Sequence, residues 1–250
     1  YEKAAKQENA EAQNYLGIMH FNGHGVKQSY SKAREWYEKA AKQGHANAQN
    51  NLGTMYDHGH GVKQSYSKAR EWYRKAAEGG FVEAQVSLGG LLANGQGVKQ
   101  NYRRAKMWLE KAAEQKNSDA QEALGVMYAR GLGVKEDYSK ARELFEMAAK
   151  QGHPKAQNKL GFLYHNGYGV ERNNFKAAEW FEKAAEQGDA EAQCTVGGMY
   201  RHGQGVDKCD SSAMRWFAKA AAQDFEEAQA AIDDMLAERR STKQPNKKRP

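Results

Sequence analysis

One sequence pattern returns every 36 residues along the whole chain. An Ala-Gln pair marks it at residues 12–13, 48–49, 84–85, 120–121, 156–157, 192–193 and 228–229. A fixed period of this length is typical of a stacked repeat array, in which each unit buries its apolar face on its neighbours. The chain is therefore expected to build a long surface rather than a single reactive pocket.

Each repeat is predicted to contain two helices. In the repeat at 46–80, one helix face is formed by Ala48, Leu52, Met55 and Tyr56, at spacings of four, seven and eight residues. Glycines at 59 and 61 then interrupt the pattern with a helix end and a tight turn. A second helix follows, whose packing side consists of Ala69, Trp72, Tyr73, Ala76 and Ala77.

Capping residues support these helix starts. Short oxygen-bearing side chains precede the second helix in five repeats, at Ser29, Ser65, Asn101, Asp137 and Asn173. The sixth repeat has Cys209 there, and we expect Asp210 to cap instead. Before the first helix, Asn9, Asn117 and Asp189 suit the role, whereas Phe81 and Phe225 do not.

Glycine also recurs inside the first helix, at positions 17, 53, 89, 125, 161 and 197. A glycine in mid-helix costs about 1 kcal/mol relative to alanine. Its repetition predicts a steric requirement, namely a partner helix that crosses close by. Since only 40% of residues are hydrophobic, alanine and glycine are expected to replace bulky packing.

These features predict an all-α fold, an α/α solenoid of antiparallel helix pairs. The order Ala-Gln, Leu-Gly-x-Met-Tyr, Gly-x-Gly-Val, Ala-x-x-Trp-Tyr-x-Lys-Ala-Ala resembles the Sel1-like repeat, a relative of the tetratricopeptide repeat, over residues 1–238. The resemblance implies a superhelix used for protein–protein contacts, often in bacterial envelope, secretion or host-interaction proteins. Some relatives are secreted, bind penicillin-like compounds and carry a cysteine pair in most repeats, which this chain does not.

The period divides the chain into segments. Residues 1–9 are expected to end the second helix of a truncated repeat, because Tyr1 aligns with Tyr37. This start in mid-repeat suggests a fragment of a longer protein. Six repeats are predicted at 10–45, 46–81, 82–117, 118–153, 154–189 and 190–225, followed by a capping helix at 226–240 and a basic disordered tail at 241–250.

The net charge of +7 belongs mostly to the C-terminal end. Residues 239–250 hold six basic side chains and no acidic one, so the remainder has 32 basic against 31 acidic residues. Without a basic stripe on the array, nucleic acid is not an expected partner. No apolar stretch is long enough to span a membrane. Cys194 and Cys209 are expected to be free thiols, since about seven helical residues, roughly 10 Å, separate Cys194 from its helix end.

A partner surface is predicted on the first helices, which in related solenoids line the concave side. On a helical wheel, positions that change freely between repeats lie opposite the constant packing positions. They form three registers, which begin at residues 14, 18 and 21. The predicted partner-binding residues are Asn14, Ile18, Phe21, Asn50, Thr54, Asp57, Val86, Glu122, Val126, Asn158, Phe162 and His165. Drift on a solvated face is the alternative explanation of the variation.

The sequence gives little support for a catalytic or metal-binding site. Ser29-x-x-Lys32 and Ser65-x-x-Lys68 match the S-x-x-K pattern of penicillin-recognising enzymes, but we interpret the serines as helix caps. Asp57, His58 and His60 could suggest a metal, yet no fourth ligand is evident. The five tryptophans at 36, 72, 108, 180 and 216 are interpreted as core. We therefore expect no cofactor, no metal and no catalytic residue.

The sequence thus predicts a non-enzymatic scaffold whose concave groove holds a peptide or protein partner and which acts as a monomer. Two alternatives stay open: a hydrolase acting on cell-wall material or β-lactams, and a structural spacer in an envelope complex. The compartment, exported, periplasmic or cytoplasmic, is open as well.

Overall fold

The computed structural model describes residues 1–242, and this part of the chain forms fourteen α-helices and no strand. The helices are α1 Glu2–Lys6, α2 Ala10–Asn22, α3 Tyr30–Lys42, α4 Ala46–His58, α5 Tyr66–Glu78, α6 Val82–Asn94, α7 Tyr102–Glu114, α8 Ser118–Arg130, α9 Tyr138–Lys150, α10 Pro154–Asn166, α11 Asn174–Glu186, α12 Ala190–His202, α13 Asp210–Ala221 and α14 Glu226–Thr242. Even-numbered helices are the first helices of the repeats, and odd-numbered ones are the second helices.

The chain divides into two compact units, unit 1 (residues 1–127 and 131–135) and unit 2 (residues 128–130 and 136–250). In unit 1 every consecutive pair of helices from α1–α2 to α6–α7 is in contact, and in unit 2 the same holds for the pairs from α9–α10 to α13–α14. Short loops join the neighbours, so successive helices run antiparallel. The prediction of an all-α solenoid built from helix pairs is confirmed.

Alanines contribute much of the buried surface of the second helices. One repeat position is fully buried, at Ala33, Ala69 and Ala105 in unit 1 and at Ala141, Ala177 and Ala213 in unit 2. Larger side chains such as Leu52, Met55 and Phe145 are fully buried as well. Small residues at the contacts let the backbones approach closely, as the low hydrophobic content predicts.

The mid-helix glycines receive a side chain from the second helix of the same repeat. A Cβ at Gly53 would lie 2.5 Å from Cδ1 of Tyr73, and one at Gly161 would lie 2.9 Å from Cδ1 of Phe181. Gly17, Gly89 and Gly197 are equally close to the corresponding tyrosine, leucine or phenylalanine. The predicted close approach is confirmed, and what approaches is a side chain rather than the helix backbone.

This packing changes the interpretation of the tryptophans. The neighbouring side chain, Tyr73 in α5, fills the core, whereas Trp72 is only half-buried. Trp36, Trp108 and Trp180 are half-buried as well, and of the five only Trp216 is buried. Lysine ammonium groups three residues later cover these rings at 4.0–4.5 Å from the ring centres. The stripe therefore lies at the edge of the core: Trp36, Trp72 and Trp108 pack against core clusters while keeping partial exposure, and Trp216 is buried.

The predicted caps are mostly confirmed. Asn101, Asp137 and Asn173 each accept a backbone N–H bond at 2.9 Å, and both serines do so at 3.4–3.5 Å. Asp210 does not cap α13, because it is the first helical residue, and Cys209 occupies the cap position without a side-chain cap bond. His45 and His153 are caps that the sequence did not reveal, since their Nδ1 atoms accept from the N–H groups of Ala48 and Ala156.

In four repeats the glutamine of the Ala-Gln pair joins consecutive helices. Gln85 donates from Nε2 to the carbonyl of Ala77 at 3.3 Å, and its Oε1 accepts from Gln115 at 3.1 Å. The pairs Gln13–Gln43, Gln157–Gln187 and Gln193–Gln223 repeat this bond at 2.7–2.9 Å. A buried amide whose two ends are both satisfied explains why glutamine returns at these four positions.

From the second repeat onward, the second glycine of the Gly-x-Gly loop packs on the preceding repeat. A Cβ at Gly97, where φ is +66°, would lie 2.6 Å from the backbone nitrogen of Ser67, at the start of α5. A side chain at this position would overlap the backbone of the preceding repeat, so glycine allows the loop to pack directly against that repeat.

The last helix covers the end of the array. Met235 of α14 is buried beside Phe217 of α13, while the charged residues from Asp233 to Arg240 are exposed, as predicted for a cap. The helix continues to Thr242, so the first two residues of the predicted tail are helical. Residues 243–250, the rest of that tail, lie outside the described residues.

Candidate interaction surface

The first register lies at the junction between repeats and is partly buried. The Oδ1 atom of Asn14 accepts from Nδ2 of Asn51 in the next first helix at 3.1 Å. In unit 2, Nδ2 of Asn158 donates to Asp189 and to Glu191, both at 3.1 Å. Asn14 and Asn158 are 6% and 7% exposed, so the expectation that packing does not involve them is wrong. A helical wheel drawn for one helix places this position on the surface. In the array, the first helix of the next repeat covers it.

The other predicted residues keep solvent contact. The half-buried ones are Ile18, Phe21, Asn50, Thr54, Asp57, Val86, Glu122 and Val126 in unit 1, and His165 in unit 2. Phe162 in unit 2 is 51% exposed. We call this set, with Phe162, the first-helix face.

In unit 1 the buried side chain of Tyr73 extends from the second helix α5 to the first-helix face. The ring of Tyr73 passes against Gly53, and its hydroxyl lies 3.3 Å from Oγ1 of Thr54 and 3.3 Å from Oδ2 of Asp57. Burial raises the pKa of Tyr73 to about 12, so the hydroxyl stays protonated and available as a donor. Sequence reasoning placed Tyr73 in the core and missed that its polar end fixes two side chains of the first-helix face.

Aromatic rings gather where this face meets the loops. In unit 1, His60 stacks on Tyr30 with ring centres 5.5 Å apart, and Phe21 contacts both rings at 5.1–5.4 Å. His58 in turn stacks on His60 at 5.4 Å. These histidines therefore belong to an aromatic cluster. Within the part of the chain that the structure describes, no three histidine, cysteine, aspartate or glutamate side chains are grouped as a metal site would require.

Unit 2 also has an aromatic cluster, in which Tyr138 and Tyr168 occupy the repeat positions of Tyr30 and His60, while Phe162 occupies the position of Ile18. Tyr168 stacks on Tyr138 with ring centres 4.9 Å apart, and Phe162 lies 5.9 Å from Tyr168. Tyr168 is 41% exposed. Phe162 and Tyr168 together present an exposed aromatic surface among the described residues of unit 2.

The S-x-x-K segments have a structural role. The hydroxyls of Ser29 and Ser65 accept the backbone N–H of Lys32 and Lys68, which confirms their interpretation as caps. The ammonium group of Lys68 lies over the ring of Tyr56, 5.2 Å from its centre. Cys194 and Cys209 are free thiols. Across residues 1–242 no helix has both the length and the hydrophobicity that crossing a bilayer demands.

The fold and this face define a class: an array of helix pairs whose first helices present varied side chains. The family model described as Sel1 repeat matches residues 10–45, 46–81, 82–117, 118–153, 154–189 and 190–225. The chain belongs to the Sel1 repeat family. Members of this family are generally protein-interaction scaffolds and are mostly non-catalytic.

Solved structures of bacterial proteins are similar to this chain. A protective antigen present in uropathogenic Escherichia coli strains, which displays the same repeat fold, is 36% identical with a TM-score of 0.89 over 95% of this chain. The chain spans 51% of that protein's length. A Sel1 repeat protein from Oxalobacter formigenes is 35% identical with a TM-score of 0.81, and 86% of each chain is covered. No match was found among curated proteins.

Proposed function

We propose that this chain is a non-enzymatic scaffold that binds a peptide or protein partner on its first-helix face. The observation that carries the proposal is the exposed pair Phe162 and Tyr168 in unit 2. Phe162 lies on α10 and Tyr168 on the loop that follows it, and exposed aromatic side chains that lie together in this way are a feature of interaction sites.

Unit 1 supports the same proposal with a different chemistry. Thr54 and Asp57 are held in place by Tyr73, and Ile18 and Phe21 of α2 pack against the core cluster that contains Leu52 and Met55 of α4. Polar groups that are fixed before binding lower the ordering cost of capturing a peptide. We propose that the first-helix residues of unit 1 bind a partner through such polar contacts.

The biological context belongs to the proposal as well. The similar Escherichia coli protein is described as a protective antigen, and we propose an envelope, secretion or host-interaction role for this chain too. The partner is proposed to be a protein or peptide and not nucleic acid, and the chain itself to be a monomer.

Selection of peptides from a displayed library tests the binding face. Peptides chosen on the unaltered protein are expected to bind Phe162→Ser about 30-fold more weakly, since truncating an aromatic anchor costs about 2 kcal/mol. Phe175→Ser is the matched control, because Phe175 is 73% exposed but lies on the second helix α11. Peptides that lose affinity equally for both variants, or for neither, would contradict the proposed face.

A separate assay tests the absence of catalysis. Nitrocefin is expected to remain intact in the presence of the protein, because both S-x-x-K serines are engaged as helix caps. Hydrolysis that disappears in Ser29→Ala or Ser65→Ala would show that the hydrolase alternative is correct.

A further inference from the structure

A groove of about 620 Å³ opens in unit 1 between the second helices α5 and α7. Its apolar part is formed by Leu88 and Leu92 of α6 together with Met107 and Trp108 of α7. We call it the α5–α7 groove. It shares no residue with the surface proposed above.

The apolar side of the groove comes from a departure within α7. Met107 is 45% exposed, whereas the corresponding positions of other second helices hold Glu35, Glu71, Glu143 and Glu179. Beside it, Trp108 is half-buried, with the ammonium group of Lys111 4.5 Å from the ring centre. An apolar side chain thus stands at an outward position that carries a glutamate in four of the other five repeats and Arg215 in the fifth.

The charged side of the groove comes from a departure within α5. Three other second helices pair a cation with a glutamate four residues later: Arg34 with Glu38, Lys106 with Glu110, and Arg142 with Glu146. In α5 the glutamate position holds Arg74, which pairs with Glu78 instead at 3.0 Å.

Arg70 consequently lacks the partner that its equivalents have. Among the described residues no carboxylate forms an ion pair with Arg70, and the same is true of Arg104 on the α7 side of the groove. Two guanidinium groups therefore flank an apolar floor without internal compensation. A guanidinium group binds a carboxylate through two parallel N–H donors, which suits it to acidic side chains.

We propose that the α5–α7 groove binds an acidic peptide segment of a partner protein. One large apolar side chain of the segment packs against Met107 and Trp108, and its carboxylates pair with Arg70 and Arg104. The groove carries Arg70, Arg74, Lys75 and Arg104 against Glu71 and Glu78, so its charge is complementary to such a segment. The two glutamates and the apolar floor disfavour a nucleic-acid backbone, which would require a continuous row of cations.

Methionine-methyl NMR gives a local readout of binding. The probe is a synthetic ten-residue peptide in which two leucines are flanked by glutamates, titrated into the full chain. We expect the Met107 methyl resonance, assigned with Met107→Leu, to shift on titration. The Met147 methyl resonance should not shift, because Met147, although 47% exposed, lies in α9 and does not line the groove.

Charge reversal then tests the two arginines. Arg70→Glu combined with Arg104→Glu is expected to weaken the peptide at least about tenfold. Lys32→Glu combined with Arg34→Glu is the matched control, since it reverses two charges at equivalent repeat positions outside the groove. Circular dichroism establishes that both variants are folded.

Four outcomes would overturn the proposal. The first is a Met107 methyl resonance that does not shift, and the second is an equal loss of peptide affinity in the two double variants. The third is equal affinity for a peptide with serines in place of the leucines. The fourth is a larger shift of the Met107 resonance with a single-stranded oligonucleotide of the same charge than with the peptide. Loss of the first-helix partner in Phe162→Ser leaves this test unaffected, so the two proposals can fail separately.

Discussion

At the scale of single residues, hydrogen bonds between glutamines explain why one repeat position is constant, and one repeat junction lacks this bond. Five repeat junctions have a glutamine 30 residues after the Ala-Gln glutamine, and in the pairs 13–43, 85–115, 157–187 and 193–223 it donates to the Oε1 atom of the latter. At the junction after Gln49, that position is Gly79. Gln49 still donates to the carbonyl of Ala41 at 3.2 Å, but the second glutamine is missing.

Gly79→Gln is therefore expected to stabilise the protein by about 1 kcal/mol, through the added hydrogen bond and a less flexible unfolded chain. The backbone accepts a side chain here, since φ is −77° and the nearest atom to a Cβ is the carbonyl oxygen of Ala76 at 3.3 Å. Thermal unfolding measures the change. Gly80→Gln is the control and should destabilise, because φ at Gly80 is +87°. A Tm that falls for Gly79→Gln would show that the bond does not form.

The two cysteines are expected to differ in reactivity. Hydrogen bonds from Ser211 and Ser212 lower the pKa of Cys209 to about 7, whereas burial raises the pKa of Cys194 above its ordinary value. Since the thiolate is the nucleophile, a lowered pKa means more reactive species at neutral pH. Alkylation by iodoacetamide, followed by peptide mass spectrometry, should label Cys209 first, with a rate that rises through pH 7. Ser211→Ala should move that rise to higher pH, and identical pH profiles for both thiols would contradict the assignment.

At the scale of helices, the contact between a glycine and a large side chain sets how the two helices of a repeat pair. Trp72 and Tyr73 are adjacent, and periodicity alone places both on the packing side of α5. The space above Gly53 decides that the tyrosine is buried and that the tryptophan lies at the rim. The sequence therefore predicts which helices pack but not which of two neighbouring rings enters the core.

Gly53→Ala is expected to destabilise the protein by about 1–2 kcal/mol. Overpacking against the Tyr73 ring costs about 1–3 kcal/mol, which exceeds the gain in helix propensity of about 1 kcal/mol. Gly90→Ala is the matched control in α6, where no atom lies within 4 Å of the added Cβ, and it should stabilise. Chemical unfolding of the two variants provides the comparison. The same sign of change in both would mean that the ring contact is unimportant.

Helix limits were largely predictable, because the period repeats them and because serine, asparagine and aspartate signal a helix start. The caps at His45 and His153 were not, since an imidazole accepts a bond at Nδ1 only in one tautomer. Exposure of the predicted surface was also only partly predictable. A wheel describes one helix, whereas the burial of Asn14 depends on Asn51 of the next repeat.

At the scale of the whole molecule, stability is expected to be distributed along the array. Each helix packs mainly on its sequence neighbours, and the Gly-x-Gly loops and glutamine bonds link only adjacent repeats. In such a chain the stability approximates a sum of repeat and nearest-neighbour contributions. A weakened contact at one end should therefore open its own repeat before it affects distant ones.

Met235→Ala tests this expectation at the end of unit 2. Removing a buried methionine side chain beside Phe217 should cost about 3 kcal/mol, which would increase the local opening equilibrium about a hundredfold. Hydrogen exchange read by mass spectrometry is expected to accelerate in α13 and α14 while α10 and α11 stay protected. Leu236→Ala is the control, because Leu236 is 39% exposed and its truncation leaves no cavity. Uniform acceleration from α9 to α14 would instead show that unit 2 unfolds as one cooperative body, and the glutamine bonds would then couple its repeats more strongly than neighbour contacts alone imply.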